Sequence, residues 1–163
     1  MQLEERMLRS LRVATVIAVL ASLAVTSTAL GDPGGVKVLD ASLAGIPSSA
    51  TGSVLEGVQG GGLPWRLDRG SVRLFADGRL QVEVQGLVLA AGSNEGRNPV
   101  ATARAIVTCS GAPAAMSSIV PYSPSGDASI NEVVELPPSC LAPAVFFAGI
   151  TGNGPRWFAV TGW

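Results

Sequence analysis

Beyond residue 31, almost no window of this chain runs long enough without glycine, proline or a glycine–serine pair to show the 3.6-residue period of a helix. The 20 glycines and 11 prolines act as punctuation, and the segments between them are short and alternate between apolar and polar residues. That pattern predicts about eight to ten short strands in an all-β fold, an antiparallel β-sandwich of Greek-key or immunoglobulin-like type.

The most sharply specified segment is Ser71 to Val84, with Asp77-Gly78 at its centre. A two-residue Asp-Gly turn would set Leu74 opposite Gln81 and Val72 opposite Glu83. A three-residue loop Ala76-Asp77-Gly78 instead sets Leu74 opposite Leu80, Val72 opposite Val82 and Arg73 opposite Gln81. Only the second puts one apolar face inward, so the expected hairpin has Gly78 in the left-handed position of a bulge. Further strands are expected at Val36–Asp40, Gly52–Val58, Val100–Cys109, Ser117–Tyr122 and Ala128–Leu136. A closing hairpin runs from Ala144–Ile150 to Arg156–Trp163. Gln59 to Pro64 reads as a flexible loop with a glycine bend, Gly86 as a bulge, and Gly111-Ala112-Pro113 as a turn of disordered character.

The amino terminus reads as an address. Arg6, Arg9 and Arg12 precede a thirteen-residue apolar run from Val13 to Val25, followed by small residues at Ser27 and Ala29. This is the pattern of a helical secretory signal peptide, residues 1–29, cleaved after Ala29, with an alternative end at 31. Residues 30–35 then form a flexible mature N-terminus and 36–163 a single β-sandwich domain. The apolar run is shorter than the roughly 20 residues of a membrane span, so no stable span is expected in the mature form. A secreted, periplasmic or cell-envelope location follows. Cys109 and Cys140, the only two cysteines, fit one disulfide in that oxidising compartment. It would tie the strand ending at Cys109 to the loop after Leu136.

The chain contains no histidine. This excludes Ser-His-Asp and Cys-His catalysis, a histidine general base and every imidazole-based metal site. Two carboxylates suffice for glycosidic hydrolysis, and Glu56, Asp68, Glu83, Glu132 and Glu135 are available, yet no spacing singles out a pair. No Asp-rich calcium loop or Ser-x-x-Lys motif is present, and no cofactor is implied. After the expected cleavage, eight scattered basic side chains face ten carboxylates, which argues against nucleic acid as a partner. Trp65 follows the glycine-rich loop beside Arg66 and Asp68, and these three form a candidate ligand surface.

The segments Gly62-Leu63-Pro64-Trp65, Asp77-Gly78-Arg79-Leu80, the cysteine pair and the ending Trp157 to Gly162 together resemble a set of small exported bacterial proteins of unknown function. The resemblance implies no activity and assigns no residue a role. The expectation is a secreted, non-catalytic protein without an assigned specific role, which binds a partner or contributes to the cell envelope; an envelope polysaccharide or protein is the candidate partner. The alternative is a carboxylate-dependent secreted hydrolase such as a glycosidase.

Overall fold

The structure, a computed structural model, describes residues 35–162. The expected signal peptide, the expected cleavage site at Ala29 and most of the 30–35 segment lie outside the described residues, as does Trp163. The described chain is all-β, with β1 (Lys37–Gly45), β2 (Val54–Leu55), β3 (Val58–Gln59), β4 (Trp65–Arg66), β5 (Arg69–Phe75), β6 (Arg79–Gln85) and β7 (Val88–Leu89). There follow β8 (Thr102–Cys109), β9 (Ala112–Met116), β10 (Val120–Pro121), β11 (Ala128–Val133), β12 (Ala144–Thr151) and β13 (Gly154–Thr161). Among the described residues no helix is long and apolar enough to cross a membrane.

Nine strands form one antiparallel sheet in the order β10-β8-β12-β13-β1-β5-β6-β11, with β9 also on β8. Strand β1 joins the two halves: Lys37 to Ser42 pair with β5, and Leu43 to Gly45 pair with β13. The sheet curls until β11 approaches β10 and β8 without joining their ladder. One hydrogen bond crosses that seam, from the Ser118 N–H to Glu132 Oε1 at 2.6 Å. Glu132 shares the inward phase of Ile130 and Val134, and an inward charge on a terminal strand discourages further strand pairing there.

The hairpin β5–β6 has the register that side-chain phase demanded, with Leu74 on Leu80, Val72 on Val82 and Arg73 on Gln81. Gly78 takes φ +86°, and a Cβ there would lie 2.1 Å from the Val134 carbonyl oxygen, so conformation and close approach both require glycine. The closing hairpin and the Cys109–Cys140 disulfide also form where expected, the bridge joining the end of β8 to the β11–β12 loop.

Four local expectations are corrected. Gly52–Val58 is not one strand: Glu56 and Gly57 both have positive φ, and they turn the chain back as the hairpin β2–β3. Gly60 and Gly61 are not a flexible bend, and neither has positive φ. They lie along β13, with Gly61 N–H donating to the Trp157 carbonyl at 3.0 Å, and a Cβ at Gly60 would come within 2.9 Å of the Ser53 carbonyl oxygen. Gly86, at φ +66°, ends β6 instead of bulging it, after which the chain changes partner and β7 pairs with β4. Gly111 does lie in a turn, but Ala112 and Pro113 already belong to β9, because Ser110 and Gly111, both at positive φ, close a tight β8–β9 hairpin.

The core has two aromatic groups. Along β5, β6 and β11 the inward positions are Val72, Leu74, Leu80, Val82, Val84 and Ile130, all nearly or fully buried. The same inner face continues to Phe147, which meets Tyr122 edge-on at 5.2 Å between ring centroids. On the opposite face of β12 and β13, Phe146 meets Trp157 edge-on at 5.9 Å. A bulge in β13 between the pairs Phe147–Ala159 and Ala148–Trp157 inserts Phe158, which allows its ring to stack on Trp65. The hairpin β2–β3 covers the second face of β8: the Glu56 carboxylate accepts the Thr108 hydroxyl, and Gly57 packs on Pro113.

Candidate functional site

Trp65 belongs to the core. Its N–H donates to the Ile46 carbonyl at 2.9 Å, its strand pairs with Leu89, and its ring lies 3.9 Å from that of Phe158 at an interplanar angle of 13°. Only 5% of the residue is exposed, so the indole offers no recognition surface. The expectation failed because the glycines before it are tied along β13 and draw the chain inward. Arg66 and Asp68 do reach the surface, where they form an exposed ion pair at 3.7 Å. Pairs of this kind contribute about 0 to 1 kcal/mol.

The five carboxylates that the sequence offers do not gather at one place: Asp68, Glu56 and Glu83 stand apart, and Glu132 and Glu135 share one groove. Asp68 faces Arg66, Glu56 accepts from Thr108, and Glu83 accepts the Ser129 hydroxyl at 2.7 Å. Glu132 holds the Ser118 N–H. Glu135 is exposed and shares with Glu132 a groove beside the open seam, near Arg104. The Arg104 guanidinium is spent on the Ser117 carbonyl, at 2.8 and 3.1 Å. Among the described residues no three Asp, Glu or Cys side chains gather as metal ligands would.

What the fold does assemble is a polar sheet face. Cross-strand register places Ser42, Ser71, Glu83 and Ser129 in one row across β1, β5, β6 and β11. Asp40, Arg73, Gln81 and Asn131 make the next row. Successive strands lie about 4.8 Å apart and successive outward residues about 7 Å along each strand, so the rows form a regular grid of donors and acceptors. Ser71, Arg73, Gln81, Glu83, Ser129 and Asn131 line a groove of about 230 Å³ on that face.

Local bonds set the electrostatics of this surface. Lys37 Nζ lies 2.6 Å from Asp40 Oδ2, and that hydrogen bond, with Coulombic help from Lys37 and Arg73, holds the Asp40 carboxyl below its usual range. Just beyond the grid, Asp127 accepts from the Ser125 hydroxyl at 2.6 Å and the Gly86 N–H at 3.0 Å, and these bonds lower its pKa. Inside the molecule, burial raises the Tyr122 phenol, whose hydroxyl donates to the Leu87 carbonyl.

The sequence contained the grid as the outward phase of β5, β6 and β11, but alternation alone identifies a face in contact with water and does not mark it as a site. Alignment of the rows depends on register across four strands, two of them far apart in the chain. Comparison with protein-family models, with curated proteins and with solved structures returned no match to this chain.

Proposed function

We propose that this chain is an exported, non-catalytic β-sandwich protein of the cell envelope that binds polysaccharide through the polar face of β1, β5, β6 and β11. The observation that carries the reading is the in-register grid of hydroxyl, amide, carboxylate and guanidinium groups bordering one groove. Such groups match the hydroxyls of a sugar polymer, and a rigid sheet holds them in place without ordering a loop on binding. A sheet curled over a shared core, with β1 common to its two halves, supports the sandwich description. The disulfide supports an oxidising compartment.

The test is retention of the mature protein on purified bacterial cell-wall polysaccharide. The doubly substituted Gln81→Ala, Asn131→Ala protein should lose retention while keeping its melting temperature. Equal retention of that variant would overturn the assignment of the face.

A second reading, a carboxylate-dependent hydrolase, draws on the groove shared by Glu132 and Glu135. It predicts turnover of a glycoside substrate that Glu132→Gln and Glu135→Gln each abolish. Turnover unaffected by both substitutions would reject that pair.

A further inference from the structure

We infer that the ligand of the polar face is an acidic polysaccharide, whose carboxylates are read by Arg73. This deepens the polysaccharide reading above and rests on it. Arg73 stands in the middle of the grid, with Asp40 beside it on β1, Gln81 on β6, and Glu83 on the diagonal. Two carboxylates are thus near enough to compete for its guanidinium, and both are engaged elsewhere. Asp40 is held by Lys37 at 2.6 Å, and Glu83 by the Ser129 hydroxyl at 2.7 Å. Among the described residues Arg73 makes no ion pair within 4.0 Å, a property it shares with Arg69, Arg97, Arg104 and Arg156, and of these five it alone lines the groove.

An arginine with its donors open suits a planar carboxylate, which it can grip through two parallel hydrogen bonds. Gln81 and Asn131 continue the same row and offer amide donors to the same acid or acceptors to neighbouring hydroxyls. Glu83, one row away, repels a second anion at its own position but accepts a sugar hydroxyl. The surface therefore distinguishes a polymer that alternates acid and hydroxyl groups from one bearing hydroxyls alone. Bulk attraction contributes little, because the exported portion carries more carboxylates than basic groups. Discrimination has to come from individual guanidinium groups, Arg73 in the groove first and Arg69, one row beyond Ser71 on the same face of β5, second.

The experiment is affinity electrophoresis of the mature protein in gels containing polygalacturonate, alginate or hyaluronate, with fully methyl-esterified polygalacturonate as the neutral counterpart of the first. Wild type should be retarded by at least one acidic polymer. On polygalacturonate, if that is the polymer bound, esterification should weaken binding about tenfold or more, the scale of one charge-assisted bidentate contact. Arg73→Met should weaken acidic-polymer binding by a similar factor, Arg73→Lys by less, and Arg97→Met, in the Gly92–Pro99 loop outside the lining of the groove, not at all. Unchanged melting temperature in Arg73→Met separates loss of a contact from loss of fold. Retardation by the neutral ester equal to that by the acid, or undiminished acid binding in Arg73→Met, would overturn the inference and leave the polysaccharide reading standing. Retardation by none of the acidic polymers would overturn the inference as well, and absence of binding to the ester and to cell-wall polysaccharide would remove the reading beneath it.

Discussion

Strands β5 and β6 alternate buried and exposed residues, whereas β12 is buried from Val145 to Gly149 and β13 from Trp157 to Thr161 without a break. Both hairpins belong to one sheet, yet one has water on its second face and the other has protein there. The covered half is held by packing on two sides: Trp65 on Phe158, Phe146 on Trp157, and β2–β3 over β8. The open half presents its second face as the polar grid. Burial on both faces adds stability where the chain crosses itself, and single burial leaves a surface free for recognition.

Truncation should reveal this difference most strongly. Trp65→Ala removes a ring stacked in the covered half and should cost about 3 to 5 kcal/mol in urea unfolding, as aromatic truncations in cores do. Gln81→Ala and Ser71→Ala, on the grid, should each fall within about 0.5 kcal/mol of wild type. A Trp65→Ala protein as stable as wild type would return Trp65 to the surface and end the distinction.

Next comes the crosslink at the end of β8. Cys109→Ser with Cys140→Ser opens a loop closed over a sequence separation of 31 and should cost roughly 3 to 4 kcal/mol on the chain-entropy model. Mass spectrometry of alkylated native protein should find no free thiol, and two labelled cysteines would refute the bridge.

The glycine run 60–62 sharpens the comparison within three residues. A Cβ at Gly61 would come within 3.1 Å of the Phe158 ring and 3.3 Å of the Trp65 indole nitrogen, but one at Gly62 would meet nothing within 4 Å. Gly61→Ala should therefore cost about 1 to 3 kcal/mol through overpacking. Gly62→Ala should be neutral or stabilising by about 0.4 to 1 kcal/mol, by restricting the unfolded chain. Equal effects at both positions would mean that the run is the flexible loop its composition suggests.

How far the sequence could be read follows the same division. The β5–β6 register was legible because Val72, Leu74, Leu80 and Val82 face one core and Arg73 and Gln81 face water, so only one pairing satisfies both. The cysteine pairing was legible because a chain with only two cysteines permits one internal bridge. The run Val145-Phe146-Phe147-Ala148 marks a buried strand without saying what covers each side. Trp65 was misplaced for that reason: its partner Phe158 is 93 positions away and reaches it through a bulge that no local pattern announces. The short hairpins β2–β3 and β8–β9 were missed because Glu56 and Ser110 adopt positive φ, a conformation that side chains such as theirs seldom signal. The grid was legible residue by residue, and its alignment was not, because four strands must pair before the rows exist.

The smallest effect belongs to the open half, where local side-chain bonds to the backbone replace a second packed layer. Asp127 accepts from Ser125 and from Gly86, the residue at which β6 ends, and these bonds place its folded pKa below its unfolded value. A carboxylate lowered in this way contributes stability above its unfolded pKa of about 3.9, and the contribution is lost as pH falls through the folded value. Asp127→Asn should therefore shift the urea midpoint slightly downward at pH 7, and the gap from wild type should close as the pH is brought below about 4. A gap of the same size at pH 7 and pH 3 would assign the loss to altered turn geometry and not to charge. The corresponding scan of Trp65→Ala should show a large gap that varies little with pH, because the indole does not titrate and its contribution comes from packing.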